Sequence, residues 1–231
     1  MQQLAGARVL AIAAPAAPLS HYLHANAALR AGYPGEALTA ALLITETFGR
    51  DPRPWMSGIF WEQVTTAYHR RGEHQLELDA ARTARSHKTG NPVHIAQELT
   101  ALAALGQLDS LSSLVLEIES MLPTSGSASV AALLLSVALE LRAHGELQEA
   151  KLVLRHVSAA VRARPAAEQA TAGARRGMGR VLYLLDDFTG AKALFTKLSQ
   201  ESPQDPDYLG MLGLIAMKLG DRVEAMLPQT A

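Results

Sequence analysis

Short turns recur along the whole 231-residue chain at intervals of 34 to 41 residues. Each combines a glycine or an aspartate with small or polar neighbours, as in the segments AGYPGEA, HGELQEA and LGDRVEA. The turns centre on Gly32, Gly72, Gly106, Gly145, Asp186 and Gly220. A repeat of this length is typical of architectures in which each repeat is one small unit that stacks on the next.

Proline-bearing breaks alternate with these turns and lie at residues 51–54, 90–92, 123–126, 164–165 and 203–206. Proline cannot continue a helix and disfavours the helical conformation of the residue before it. Between a break and a turn, apolar residues recur at spacings of three and four, as at Leu111, Leu114, Val115 and Ile118. This spacing predicts about twelve helices arranged as six antiparallel pairs, and no segment reads convincingly as a strand.

The composition agrees with a folded helical protein and excludes several classes of function. Hydrophobic residues make up 48% of the chain and charged residues 19%, which is enough apolar material for a core. The net charge of -1 lacks the basic excess of a general nucleic-acid binder, so we predict no nucleic-acid partner. The chain has no cysteine, which rules out disulfides, cysteine zinc sites and thiol catalysis. No apolar run has the length of a membrane helix.

We divide the chain into a leading segment and a repeat domain. Residues 1–17 form an N-terminal extension or leading helix, and residues 18–231 form the helical repeats. The predicted pairs lie near residues 18–51, 55–90, 92–123, 128–165, 167–203 and 206–231. The last helix begins near Arg222, is short and contains Pro228, so we expect the chain to be part of a longer protein or its last pair to dock on a partner.

The residues at the turns and helix contacts resemble those of the tetratricopeptide repeat (TPR) superfamily. The fifth pair carries the resemblance best through Gly179, Phe188, Ala191, Phe195 and Pro203. The sixth pair follows with Leu212, Gly213, Gly220 and Ala225, and the second supplies Trp61, Tyr68 and Gly72. Residues 55–85 also resemble repeat regions attached to bacterial regulatory proteins. The second pair departs from the pattern because it lacks the early alanine of the second helix.

The resemblance implies an all-α fold, a right-handed alpha-alpha superhelix of about six helix pairs. It also implies a protein–protein interaction scaffold rather than an enzyme. In this superfamily the first helices of successive pairs line a concave groove that holds a peptide or partner protein. The matching positions here predict a mildly basic groove suited to acidic groups, lined by Tyr22, Arg30, His69, Arg70, Arg142, Arg176, Arg180, Tyr183 and Lys218.

The sequence predicts no catalytic, cofactor or metal site. The zinc-protease, phosphate-loop and nucleophile-elbow motifs are absent, and we expect no cofactor. Gly173, Gly177 and Gly179 lack the preceding strand of a dinucleotide loop, and we interpret them as helix-packing positions. His21 and His24 have no carboxylate at ligand spacing, and His69 and His74 flank a turn, so we predict solvated or groove-lining histidines and no metal.

Two alternatives remain open at this point. The solenoid could self-associate into a homo-oligomer through its C-terminal end without a separate peptide ligand. A helical enzyme is the third hypothesis and would need acid and base residues converging in one pocket.

Residues 1–20 have one arginine, Arg8, and an apolar stretch crowded by Pro15 and Pro18. We therefore predict a cytoplasmic protein with no membrane partner and keep export as the alternative.

Overall fold

The computed structural model describes residues 2–48, 54–87, 91–121 and 130–220, and all its regular structure is helical. The chain divides into two compact units, Met1–Leu122 and Pro123–Ala231. The first unit contains α1 (Gln2–Ala13), α2 (Pro18–Arg30), α3 (Pro34–Phe48), α4 (Pro54–Arg71), α5 (His74–Ser86), α6 (Pro92–Leu105) and α7 (Leu111–Ser120).

The second unit contains α8 (Val130–Ala143), α9 (Leu147–Arg162), the single turn α10 (Ala166–Gln169), α11 (Ala172–Leu184), α12 (Phe188–Glu201) and α13 (Pro206–Leu219). The expected final helix from Arg222, residues 51–53 of the first proline-bearing break and the break at residues 123–126 lie outside the described residues.

The six turns of the sequence repeat are the six places where the described backbone turns left-handed. The dihedral φ lies between 66° and 89° at the five glycines Gly32, Gly72, Gly106, Gly145 and Gly220. The sixth turn has Asp186 at φ 67° in place of glycine. A left-handed residue ends one helix and redirects the chain into the next, and aspartate tolerates this conformation better than most residues with a side chain.

Five of the eleven prolines lie at helix starts, where their missing N–H group has no helical partner to lose. Helices α2, α3, α4, α6 and α13 each begin with one. Side-chain caps support two of these starts. The side chain of Asn91 accepts a bond from the Val93 N–H (3.0 Å), and that of Asp205 accepts one from the Asp207 N–H (2.9 Å).

In the first unit the second helices α3 and α5 are each covered by the first helix of the next pair. Helix α3 packs against both α2 and α4, and α5 packs against both α4 and α6. The contacts are rich in alanine, with clusters that join Ala28 and Ala37 to Ala67, and Ala25 and Ala41 to Val64. Small side chains allow the helix axes to approach closely, so the apolar faces are buried by stacking in chain order.

Ion pairs reinforce the end of the first unit. Arg85 on α5 donates a hydrogen bond to Glu98 on α6. It also donates to both carboxylate oxygens of Glu117 on α7, and these two bonds measure 2.9 Å. Glu98 is buried and also accepts a bond from Arg82 (3.0 Å). One guanidinium therefore joins three successive helices through charge-assisted bonds.

Helix α1 continues the packing at the N-terminal side. It packs on α2, and Arg8 makes a two-bond contact with Glu36 on α3 at 2.7 and 2.6 Å. The same carboxylate receives His24 at 2.6 Å. The bonds from Arg8 and His24 lower the pKa of Glu36 to about 2.

None of the described helices has both the length and the apolar character needed to cross a bilayer.

The second unit repeats the stacking rule. Helix α9 packs against α8 and α11, and α12 packs against α11 and α13. The core between α12 and α13 joins Ala191, Phe195 and Leu198 to Tyr208 and Ile215. The Phe195 and Tyr208 rings lie 6.3 Å apart, and Phe195 is fully buried. This aromatic contact ties the fifth pair to the sixth.

Gly179 is a position where the packing requires the absence of a side chain. A Cβ atom there would lie 2.7 Å from Cε2 of the buried Phe195 ring. Two residues earlier on the same helix, a Cβ at Gly177 would meet nothing within 4 Å. The two glycines therefore form a matched pair for testing how closely α11 and α12 pack.

We predict that Gly179→Ala lowers the free energy of unfolding by about 1–2 kcal/mol, because overpacking a core costs about 1–3 kcal/mol and alanine returns up to about 1 kcal/mol of helix propensity. Gly177→Ala should raise it by up to about 1 kcal/mol. Urea denaturation of both variants checks this, and equal effects would show that α11 and α12 are not in close contact.

Candidate functional site

The predicted groove residues all lie on the first helices of their pairs. Tyr22 and Arg30 belong to α2, and His69 and Arg70 to α4, in the first unit. The others belong to the second unit, with Arg142 on α8, Arg176, Arg180 and Tyr183 on α11, and Lys218 on α13. These positions differ in what their side chains contact.

The two tyrosines contribute mainly to packing. Tyr22 is half-buried and packs edge-on against the buried Phe60, with ring centroids 6.4 Å apart. Tyr183 is half-buried and meets Phe188 edge-on at 5.6 Å. Each ring therefore leaves only part of its surface for a ligand and helps to fix the helix that carries it.

Two of the arginines hold the ends of neighbouring helices. Arg70 donates a hydrogen bond to the carbonyl of Leu29, in the last turn of α2. In the second unit Arg142 donates to the carbonyl of Leu184, in the last turn of α11, at 3.3 Å. The last carbonyls of a helix lack helical partners and carry partial negative charge, so a guanidinium stabilises them. These bonds also place α2 beside α4, and α8 beside α11.

Arg176 and Arg180 lie one turn apart on α11 and both face the carboxylate of Asp207, the second residue of α13. Their terminal nitrogens lie 4.0 and 3.8 Å from the same Asp207 oxygen, and both side chains are 46% exposed. These distances exceed those of a hydrogen bond. The arrangement is therefore a loose electrostatic pairing that water and other anions can enter.

Further basic residues surround Asp186, the left-handed turn residue. Lys151 contacts its carboxylate at 2.7 Å, and Arg142 and Lys218 lie near enough to act on it electrostatically. The bond from Lys151, with smaller effects from these charges, lowers the pKa of Asp186. Lys218 itself is exposed on α13.

Exposed apolar side chains accompany the charges of the second unit. Leu139 on α8 is 48% exposed, and on α13 Leu214 is 47% and Met217 is 69% exposed. They occupy the first helices, as the arginines do. A surface that mixes arginine with exposed aliphatic side chains has the chemistry of a protein-binding face.

In the first unit, Arg30 borders a cleft between α1 and α2. The cleft has a volume of about 410 Å³ and is lined by the two helices through Gln3, Gly6, Ala7, Leu10, Leu23, Asn26, Ala27 and Arg30. Its walls are mostly apolar, and Arg30 is exposed at its rim. The leading helix α1 therefore adds a wall to the face that Arg30 occupies.

Glu62 is an acidic residue on α4, the helix that carries His69 and Arg70, and it is partly buried. Its carboxylate accepts a hydrogen bond from the side chain of Asn91, which caps α6, at 3.0 Å. Burial raises the pKa of Glu62. The carboxylate thus links α4 to the start of α6.

His69 does not simply line the groove, because it meets a carboxylate from the next helix. Its Nδ1 lies 3.1 Å from Oε2 of Glu77 on α5, and Nδ1 of His74 lies 3.0 Å from the same oxygen. The sequence predicts that both histidines flank a turn, and the contact with Glu77 was not predicted. The signal was present in the spacing, since His74 and Glu77 lie three residues apart and share a helix face.

The other histidine pair, His21 and His24, diverges. The ring of His21 is buried and contacts the Pro15 carbonyl at 2.8 Å, whereas His24 contacts Glu36 at 2.6 Å. The carboxylate beside His24 comes from the following helix, which residue spacing along α2 could not reveal.

Comparison with known proteins bears on the fold. The sequence matches no protein-family model, and no curated protein matches it. Among solved structures, the chain is similar to one described as the crystal structure of the APC/C hetero-tetramer Cut9-Hcn1, with a TM-score of 0.57 and 14% identity. The match covers 95% of this chain and 40% of that one. With the sequential helix pairs, it confirms the predicted all-α, TPR-like solenoid fold.

Proposed function

We propose that this chain is a protein-interaction scaffold whose first helices bind an acidic, partly apolar peptide segment of a partner protein. The observation that carries the proposal is the pair Arg176 and Arg180, which converge on one carboxylate from α13 while remaining 46% exposed. A ligand glutamate or aspartate could take the same place. Arginine suits this role because its planar fork can grip a carboxylate through two bonds.

The neighbouring residues extend the same surface. Lys218 adds positive charge on α13, and Leu139, Leu214 and Met217 offer apolar contacts. Tyr22, Arg30 and His69 lie on the corresponding first helices of the first unit, and we propose that they serve the same kind of ligand. Arg70 lies beside them and is held by the Leu29 carbonyl. Because packed helices hold the surface in place, binding would lose little conformational entropy on the protein side.

We also propose that this scaffold serves a regulatory or assembly system. The similar solved structure is described as a hetero-tetramer, which supports an assembly role for a chain with this fold. The resemblance of residues 55–85 to repeat regions of bacterial regulatory proteins supports a regulatory system. The binding surface uses charge and apolar contact and requires no cofactor or catalytic group, in keeping with a scaffold.

Charge reversal of the arginine pair tests the proposal. The probe is a fluorescently labelled peptide of alternating glutamate and leucine, and binding is followed by fluorescence anisotropy. We expect Arg176→Glu/Arg180→Glu to weaken binding by at least about 100-fold, since each lost contact to a charged group is worth about 1.5–3 kcal/mol. Asp207→Asn should strengthen binding by about 2- to 5-fold, because it removes a weak competing surface charge.

The matched control reverses two exposed arginines on α9, a second helix of its pair. Arg155→Glu/Arg162→Glu changes the net charge by the same amount on a helix outside the proposed surface. Circular dichroism confirms that each variant remains helical. Equal losses in the two double variants would mean that only overall charge matters, and unchanged binding in the first would reject the arginine site.

Self-association is the second candidate function, and the exposed apolar side chains on α13 favour it. Leu214, Met217 and Leu219 are exposed by 47%, 69% and 40% on one helix. A second copy of the chain could cover them, as apolar interfaces do in homo-oligomers.

Sedimentation velocity of the full chain separates the two functions. If α13 mediates self-association, the wild type sediments as a concentration-dependent oligomer and Leu214→Lys/Met217→Lys converts it to a monomer. The peptide-binding proposal predicts a wild-type monomer that captures the labelled peptide. An oligomer that persists in the variant would place the contact elsewhere.

A further inference from the structure

The hairpin between α4 and α5 brings three metal-ligating groups together. His69 lies in the last turn of α4, His74 begins α5, and Glu77 follows three residues later. One ligand atom from each lies within 4.8 Å of the other two. Across the described ranges of the chain, this is the only group of three or more histidine and acidic side chains that meets this criterion.

The distances suit a tetrahedral ion. Nδ1 of His69 and Nδ1 of His74 lie 3.1 and 3.0 Å from Oε2 of Glu77. In a tetrahedral zinc site with bonds of about 2.0–2.1 Å, neighbouring ligand atoms lie about 3.3 Å apart. The two histidine–carboxylate distances therefore differ from this spacing by only a few tenths of an ångström.

The three side chains differ in their exposure to solvent in a way that suits a metal site. The Glu77 side chain is 2% exposed, that of His74 is 20% and that of His69 is 32%. A buried carboxylate needs a positive partner, and solvent reaches the site from the histidine side. Three protein ligands would leave the fourth position of a tetrahedral ion for a water molecule.

The two arginines that follow His69 are engaged elsewhere. Arg70 bonds to the Leu29 carbonyl, and Arg71 bonds to Glu73 at 2.9 and 2.6 Å. The hairpin itself is held by backbone bonds, from Gly72 N–H to the His69 carbonyl and from Glu73 N–H to the Tyr68 carbonyl, both at 3.0 Å. The ligands thus come from a short, ordered turn, which lowers the cost of organising them around an ion.

We propose that His69, His74 and Glu77 form a binding site for a divalent transition-metal ion of the zinc class. Two imidazoles and one carboxylate favour Zn²⁺ and its neighbours over Mg²⁺ and Ca²⁺, which prefer all-oxygen ligands. The ion would bridge the end of α4 to the start of α5 and hold the hairpin closed. Without it, the same three groups form a hydrogen-bonded network, so metal titration is the experiment that distinguishes the two states.

The test uses the full chain after removal of metals with a chelator. Isothermal titration calorimetry with Zn²⁺ should give one site per chain, and Co²⁺ should develop the visible absorption bands of a tetrahedral complex. His69→Gln/His74→Gln should weaken Zn²⁺ binding by more than about 100-fold, since losing even an outer-shell partner of a metal ligand costs about 10- to 100-fold.

The matched control is His144→Gln. His144 contacts Glu140 at 2.9 Å, and this histidine–carboxylate contact lies outside the group of three ligands that His69, His74 and Glu77 form. This variant should bind Zn²⁺ with wild-type affinity. If His144→Gln loses binding as the double variant does, or if the double variant binds as tightly as wild type, the assigned site is wrong.

A measurement on the wild type covers the case in which the double variant does not fold. The chain has eight histidines, and nuclear magnetic resonance of their ring nitrogens reports each one. Addition of Zn²⁺ should shift the Nδ1 signals of His69 and His74 strongly and leave the other six nearly unchanged. Shifts that exclude His69 and His74, or the absence of any site of one ion per chain, would overturn the proposal.

Discussion

The structure depends on one packing constraint. The apolar face of a helix pair that is not used between its own two helices can be buried only by the next helix in the chain. Helix α3 is covered only when α4 follows it, and α12 only when α13 follows it. The sequence meets this constraint with small residues such as Ala37 and Ala41 where α3 meets α4, and with Phe195 of α12, whose ring packs against Tyr208 of α13. Stacking in chain order is the consequence within each unit.

The same constraint determines which residues are available for binding. After stacking, the first helices α11 and α13 still carry exposed side chains such as Arg176, Arg180 and Met217. Even there, not every charge is available. Arg70 and Arg142 satisfy carbonyls at the ends of neighbouring helices, whereas Arg176 and Arg180 make only a loose contact with Asp207. The difference between a hydrogen-bonded arginine and a loosely paired one is the reason that we propose the α11–α13 face as the binding surface.

Local chemistry explains how much of this could be predicted from the sequence. Glycine turns and proline starts depend on backbone preferences of single residues, so all six turns, including Asp186, were predictable. The helix pairs follow from apolar spacing. The roles of Arg70 and Arg142 were not predictable, because their partners Leu29 and Leu184 lie 41 and 42 residues away. Glu77 was missed for a related reason, since its approach to His69 depends on the angle of the hairpin.

Native-state hydrogen exchange of a Phe195→Leu variant tests the stacking claim most directly. Phe195 belongs to α12, but its ring also contacts Tyr208 on α13. If α13 is held in place by the preceding pair, the substitution lowers the opening free energy of amides in α13 as much as in α12, by about 1–3 kcal/mol. Amides of α13 that keep their wild-type protection while those of α12 lose it would contradict the account, because the sixth pair would then be stable without its neighbour.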